Sequence, residues 1–222
     1  FHMGMNNYAF DLRDGIGIKS NIKESIRYFK MAIEEGSILS SRNLGIMLCK
    51  GFKDENSNII LEPDLNEGRK YLKYAADHSD ASAMEEYVHY LTNQEDGQYN
   101  REELKKYLIM GIEAKNTYCM RYYGAILLDG DPFPKDVIEG ARYYKMAVDL
   151  GDECAMETYG ELLESGLGVQ KDLVMARSYY QKSADLGDTD GIENYARFLE
   201  EGIGGCKSAE EAKKYRDTLK KS

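Results

Sequence analysis

Three Gly-x-Gly turns are the first residues of this sequence that could do chemistry, because glycine-rich loops cradle phosphate groups in nucleotide-binding proteins. The turns are Gly15-Ile-Gly17, Gly166-Leu-Gly168 and Gly202-Ile-Gly204. A phosphate-binding loop follows a β-strand and opens a helix, whereas each of these turns lies between two predicted helices. We therefore interpret them as turns that connect helices, and we predict no nucleotide cofactor.

Possible metal ligands and nucleophiles occur without the partners that their chemistry requires. The segment Asp54–Asn58 has the spacing that opens a calcium loop, but Ile59 stands where the loop needs glycine and Leu65 where it needs a bidentate glutamate. Ser20-Asn-Ile-Lys23 has neither companion motif of the serine acyl enzymes. No short-spaced pair of histidines or cysteines suggests a zinc site. We predict no metal, no cofactor and no catalytic residue, and hence a protein that is not an enzyme.

The overall composition excludes two classes of partner. A net charge of -10 at pH 7 disfavours nucleic acid, whose nonspecific binding needs clustered lysine and arginine to replace counterions. No apolar run reaches the roughly 18 residues of a membrane-spanning helix. The 4 cysteines form no framework of short-spaced pairs, so we expect a cytoplasmic protein. The abrupt start at the first residue of a helix predicts that the natural chain continues upstream of Phe1.

Two ladders of equally spaced residues indicate the elements that must position any site. Six tyrosines recur at intervals of 43, 36, 36, 36 and 36 residues, and six leucines recur at similar intervals. The ladders are Tyr28, Tyr71, Tyr107, Tyr143, Tyr179 and Tyr215, and Leu12, Leu48, Leu91, Leu127, Leu163 and Leu199. Such self-similarity is typical of stacked supersecondary units that cannot bury their apolar faces alone. Both ladders are predicted to belong to the core.

Each repeating unit is predicted to contain two helices, most clearly in the copy from Glu153 to Gly187. Its first helix carries small and apolar residues at helical spacing, and Asp172 stands where the second helix would begin. All six copies hold a good N-cap residue at that position, and five hold glutamate three residues later. This pattern predicts a reciprocal capping box. The caps are Asn21, Asp64, Asn100, Asp136, Asp172 and Ser208.

A two-helix unit of 36 residues with these features resembles the Sel-1-like repeat family. Tyr159-Gly160, the turn Gly166–Val169, the cap Asp172 and the stretch Ala176–Asp188 carry the resemblance most clearly. The resemblance implies an all-α fold, a right-handed α/α superhelical solenoid of six two-helix repeats, and a role as a protein-interaction adaptor. The single solenoid would span 1–222, with repeats at about 4–37, 38–80, 81–116, 117–152, 153–188 and 189–222.

By analogy with tetratricopeptide-like superhelices, the first helix of each repeat is expected to line a concave groove. Groove positions vary among the copies while core positions repeat, as expected if groove residues read a partner and core residues hold the fold. The predicted partner-binding residues are Phe10, Arg42, Ile46, Glu85, His89, Tyr118, Arg121, Glu157, Glu161, Glu193 and Arg197.

The charge of these groove positions changes along the chain. The first two copies offer apolar and basic groups, and the last two are acidic. Complementary charge mainly sets encounter rate and orientation, so we predict a peptide or protein segment bound lengthwise and basic toward the C-terminal repeats. Two alternatives stay open: a structural solenoid that self-assembles, and a hydrolase that uses the groove carboxylates. The insertion within 53–63 of the second copy is a further candidate contact region.

Overall fold

The fold consists of paired helices joined by short turns. The structure, a computed structural model, describes residues 2–92 and 100–219, and in these ranges it contains twelve α-helices, a short 3-10 helix and one two-stranded sheet. The predicted all-α solenoid of two-helix repeats is confirmed. The helices are α1 (His2–Asp14), α2 (Ile22–Glu34), α3 (Ile38–Lys50), α4 (Leu65–Asp77), α5 (Ala81–Thr92), α6 (Arg101–Glu113), α7 (Thr117–Asp129), α8 (Val137–Asp149), α9 (Met156–Ser165, preceded by the 3-10 turn Glu153–Ala155), α10 (Leu173–Asp185), α11 (Thr189–Glu201) and α12 (Ala209–Leu219).

The helices form two compact units, residues 1–116 and 117–222, each with a core of its own. Helices α1 to α6 belong to the first unit and α7 to α12 to the second. The largest fully buried side chains are Phe29, Leu44, Leu72, Met84, Leu104, Tyr107 and Leu108 in the first unit, and Met120, Tyr180, Phe198 and Leu199 in the second. Within the described ranges, none of the helices has both the length and the apolar character needed to cross a lipid bilayer.

Ring contacts within repeats explain the tyrosine ladder. In five repeats the ladder tyrosine of the second helix contacts a tyrosine 20 residues earlier on the first helix, with ring centroids 4.7 to 5.3 Å apart. The prediction that the whole ladder is core is wrong, because only Tyr107 and Tyr143 of the six are fully buried. In all of the first five repeats the residue after the ladder tyrosine, for example Phe29 or Tyr180, is buried.

All six second helices begin at their predicted cap residues. The side chain of Asp172 accepts a hydrogen bond from the Met175 backbone N–H at 2.9 Å, and the other five caps make the same contact at 2.9 to 3.4 Å. These bonds satisfy a backbone donor that the first turn of a helix leaves without a partner. They fix where the second helix of each repeat starts.

The predicted reciprocal half of the capping box is wrong, because both of its groups have other partners. The backbone N–H of the cap donates to the carbonyl oxygen of the ladder leucine, as Asp172 does to Leu163 at 2.9 Å. In the third and sixth repeats, a tyrosine hydroxyl of the first helix donates to the glutamate instead. The leucine bonds join Asn21 to Leu12, Asp64 to Leu48, Asp136 to Leu127, Asp172 to Leu163 and Ser208 to Leu199.

The insertion of the second repeat folds as a β-hairpin. Strand β1 (Phe52–Lys53) pairs antiparallel with β2 (Ile59–Leu61). Asp54 closes the turn by accepting hydrogen bonds from the side chain and backbone of Asn58, at 2.9 and 2.8 Å, and these bonds lower the pKa of the Asp54 carboxyl. Asp64 N–H still donates to the Leu48 carbonyl at 2.8 Å. The extra residues therefore leave the join between the two helices unchanged.

Candidate functional site

All eleven predicted partner-binding residues lie on the first helices of their repeats, but they differ in exposure. His89, Glu161 and Glu193 are exposed, and the other eight are half-buried. Phe10 packs edge-on against the core ring of Phe29, with centroids 5.4 Å apart. Intramolecular contacts of this kind distinguish the predicted residues that stabilise the fold from those whose charge is available to a partner.

In each of the first five repeats, one groove residue of the first helix corresponds to the residue that comes just before the first helix of the next repeat. We call the groove member the linking residue and its counterpart the first-helix cap. Arg42 Nη1 lies 3.1 Å from both carboxylate oxygens of Asp80. Arg121 Nε lies 3.0 Å from Asp152 Oδ1, as an ion pair without hydrogen-bond geometry. The linking residues are Asn6, Arg42, Glu85, Arg121 and Glu157, and the corresponding caps are Ser37, Asp80, Asn116, Asp152 and Asp188.

At the two neutral caps, hydrogen bonds connect the linking residue with the cap, directly for Asn116 and through Ser40 for Ser37. Glu85 accepts a hydrogen bond from the Asn116 side chain at 2.9 Å. Ser40 Oγ donates to Asn6 at 3.1 Å and contacts the Ser37 hydroxyl at 2.9 Å. Opposite charge or hydrogen bonding is therefore found at four of the five linking positions.

Glu157 is the linking residue that faces a cap of its own charge. Its carboxylate lies among those of Glu161, Asp190 and Asp188, and the Asn194 side chain donates a hydrogen bond to it at 2.9 Å. Burial, followed by these neighbouring carboxylates, raises the pKa of Glu157 to about 7. At this position several acidic groups meet, and among the residues that the structure describes no basic side chain forms an ion pair with Glu157.

Arg197, by contrast, already has hydrogen-bond partners within the chain. Its guanidinium binds the Glu164 carboxylate through two hydrogen bonds, of 2.9 and 2.7 Å. It also donates to the side-chain oxygen Oδ1 of Asn194 at 3.2 Å. Tyr180 donates a further hydrogen bond to Glu164 at 2.8 Å. The hydrogen bond from Arg197 is the main reason that the pKa of Glu164 is lowered. We therefore regard this predicted residue as a group that positions Asn194.

A cavity of about 420 Å³ opens beside Glu157, and we call it the Glu157 pocket. Asp188 Oδ2 accepts hydrogen bonds there from Ser183 Oγ at 2.9 Å and from the Gly191 N–H at 2.7 Å. Sequence reasoning identified Glu157 but missed the rest of the lining, although Asp188 occupies a recognisable N-cap position. The pocket is lined by Glu153, Cys154, Glu157, Ser183, Leu186, Gly187, Asp188 and Asp190.

Three larger hollows lie in the first unit, one of about 480 Å³ on α6 and two, of about 620 and 680 Å³, beside α4. All three are shallow and carry mixed charge. Lys30 and Glu67 form an ion pair beside α4, with Nζ 3.1 Å from Oε1. Size alone would favour these hollows, but basic and acidic side chains line them together. The charged side chains of the Glu157 pocket are all acidic, and we consider that pocket the better candidate.

These features define a class of protein: a helical-repeat solenoid with variable polar residues along its first helices. The model of the Sel1 repeat matches residues 2–37, 39–80, 117–152 and 155–188, which is more than half of the chain. The chain belongs to the Sel1 repeat family. Sel1 repeat proteins are generally non-enzymatic protein-interaction scaffolds.

Solved structures with the same fold come from several bacteria. A Sel1 repeat protein from Oxalobacter formigenes is 22% identical, with a TM-score of 0.83 over 100% of this chain and 88% of that one. The protective antigen c5321 of uropathogenic Escherichia coli is 18% identical, with a TM-score of 0.89 over 100% of this chain and 46% of the antigen. At these identities the likeness concerns the fold alone. No curated protein sequence matches this chain significantly.

Proposed function

We propose that this chain is a non-enzymatic adaptor that binds a basic segment of another protein on the acidic face of its second unit. The acidic face consists of Glu157, Glu161, Asp190 and Glu193, on α9 and α11. The observation that carries the proposal is the cluster of carboxylates at Glu157, where two carboxylate-bearing helices meet and no basic side chain of the described residues forms an ion pair with Glu157.

Exposure supports the same assignment. Glu161, Asp190 and Glu193 are all exposed, so a partner can reach them without any rearrangement of the core. Because Glu157 and Glu161 are four residues apart on one helix, they present their carboxylates on the same side. A lysine- or arginine-rich segment would relieve repulsion that the free protein has to tolerate.

The first unit lacks this surplus of charge. Its linking residue Arg42 is paired with Asp80, and Lys50 lies 3.6 Å from Glu86. Phe10 and Ile46 are half-buried, and Phe10 packs against the core of the first unit. A partner could add contacts there, but it would have to compete with bonds that the chain already makes. The specificity for charge is therefore assigned to the acidic face.

Selection of random peptides displayed on phage tests the proposal. We expect enrichment of peptides rich in lysine and arginine, whose affinity falls between about 50 and 500 mM salt because exposed ion pairs are screened. A triple variant, Glu157→Lys, Glu161→Lys and Glu193→Lys, should lose these peptides. The control changes the same charge at exposed Glu34, Glu113 and Glu210, and should keep them.

Circular dichroism must first show that both variants are folded. Enrichment of neutral or acidic peptides on the natural chain would argue against the proposal. Equal binding of the basic peptides to both triple variants would also overturn it, since the acidic face would then not be where they bind.

A further inference from the structure

We infer that the Glu157 pocket receives an arginine side chain of the bound partner. The guanidinium of the partner takes the place that an arginine of the chain itself takes in two other repeats. The inference deepens the proposed function and rests on it. It assigns one residue type of the partner to one cavity of the acidic face.

The first argument is an internal comparison of equivalent positions. Arg42 and Arg121 occupy the linking position of their repeats, and each guanidinium binds the aspartate that caps the next first helix. The fifth repeat keeps the aspartate, Asp188, but has Glu157 in place of the arginine. The chain therefore retains the acceptor of this ion pair and lacks its donor.

The second argument is that space exists where the donor would lie. The pocket has a volume of about 420 Å³ and is bounded by Glu157, Asp188 and Asp190 on its polar sides. Leu186 lines it as well and is exposed, so the aliphatic stem of an arginine can pack on an apolar surface while its head reaches the carboxylates. A guanidinium offers five N–H donors in a rigid fork that suits carboxylate acceptors.

The third argument concerns the acceptors themselves. Both hydrogen bonds within the chain to Asp188 end on Oδ2, and among residues 2–92 and 100–219 no hydrogen bond ends on Oδ1. Glu157 accepts from Asn194 through Oε1 and also shares a side-chain hydrogen bond with Glu161. Asp188 thus keeps an oxygen for a ligand. Burial, and after it the neighbouring carboxylates, raise the pKa of Glu157 at the same place.

Nuclear magnetic resonance with a minimal probe tests the inference. N-acetyl-arginine N-methylamide is titrated into the isotope-labelled full chain, and the citrulline analogue, which has nearly the same shape but no charge, is the matched control. We expect saturable shifts of backbone amides at 153–157 and 186–191 with arginine, and an affinity lower by about tenfold or more with citrulline. Equal shifts with both probes, or with the lysine analogue, would overturn the assignment, as would the absence of shifts.

The variant Glu157→Arg provides the second test. Its own guanidinium should pair with Asp188 as Arg121 pairs with Asp152, close the pocket, weaken the arginine probe by about tenfold or more, and raise Tm. Glu113→Arg makes the same charge change at an exposed site of the other unit and should keep the wild-type affinity. Unchanged binding to Glu157→Arg would overturn the inference.

The two proposals can fail separately. Basic phage peptides that bind the acidic face while the arginine probe leaves the pocket residues unshifted would remove the pocket assignment and leave the adaptor proposal standing. If Glu157→Arg does not fold, the comparison of the arginine, citrulline and lysine probes on the natural chain still decides the matter.

Discussion

The side chain of Glu157 keeps a proton over a pH range in which an ordinary glutamate has lost it, because burial and nearby carboxylates raise its pKa to about 7. In the unfolded chain a glutamate has a pKa of about 4.3. Between these two values the folded protein binds more protons than the unfolded one. Stability must therefore fall as the pH rises through this window and remain lower above it.

The variant Glu157→Gln should consequently be more stable than the natural protein at pH 8, by about 1 to 2 kcal/mol once solvent screening of the half-exposed carboxylate is allowed for. The amide keeps an acceptor for Asn194 and removes the charge. Urea denaturation at pH 8 and pH 5 measures the difference, which should shrink at the lower pH. A difference that is the same at both values, or as large for Glu34→Gln, would contradict this explanation.

Arg42 has the opposite role, since it neutralises the cap that it faces. Its side chain and that of Asp80 are 24% and 14% exposed, so removing the guanidinium leaves a poorly solvated carboxylate. Arg42→Met should destabilise the first unit by about 1 to 2 kcal/mol. The control is Arg27→Met, whose ion pair with Glu24 is far more exposed and should contribute less than about 0.5 kcal/mol. Equal losses in denaturant unfolding would show that burial does not set the strength of these pairs.

At the scale of elements, close contact between the two helices of a repeat depends on glycine. A Cβ atom on Gly160 would lie 2.8 Å from the ring of Tyr180, and one on Gly124 would lie 2.9 Å from the ring of Tyr144. Each of these tyrosines is buried on the second helix. The small residue and the large ring thus form one contact, and neither can change alone.

Gly160→Ala should destabilise the second unit by about 1 kcal/mol, because overpacking costs about 1 to 3 kcal/mol and exceeds the gain in helix propensity of about 1 kcal/mol. Gly4→Ala is the control, since nothing lies within 4 Å of its added Cβ, and it should be neutral or slightly stabilising. Thermal denaturation checks both. A higher Tm for Gly160→Ala would show that the helices can separate at little cost.

At the scale of the whole molecule, the chain is two compact units, each with fully buried side chains of its own. We expect a fragment of residues 117–222 to fold without the rest, because repeats stabilise one another mainly through their nearest neighbours. Far-ultraviolet circular dichroism and urea titration of the fragment provide the test. A fragment without a cooperative transition would contradict the independence of its core.

Features that repeat could be predicted from the sequence, and features that depend on a single copy could not. The period and the cap residues identified the helices, because periodicity and local hydrogen bonding act over a few residues. The meeting of Glu157 with Asp188 depends on how one repeat stacks on the next, which no local pattern encodes. The capping box was predicted wrongly because the ladder leucines and two tyrosines compete for its groups.

The hydrogen bond from Asp64 N–H to the Leu48 carbonyl holds the two ends of the connection between the helices together, although the connection contains an inserted hairpin. The hairpin adds residues to this connection, and the bond measures 2.8 Å, against 2.7 Å for the equivalent bond in the uninterrupted first repeat. For a protein engineer this makes the turn a graft point. A foreign loop, an epitope or a fluorescent reporter inserted between these anchors would be displayed on an unaltered frame, and the same position should accept one in every repeat that has the bond.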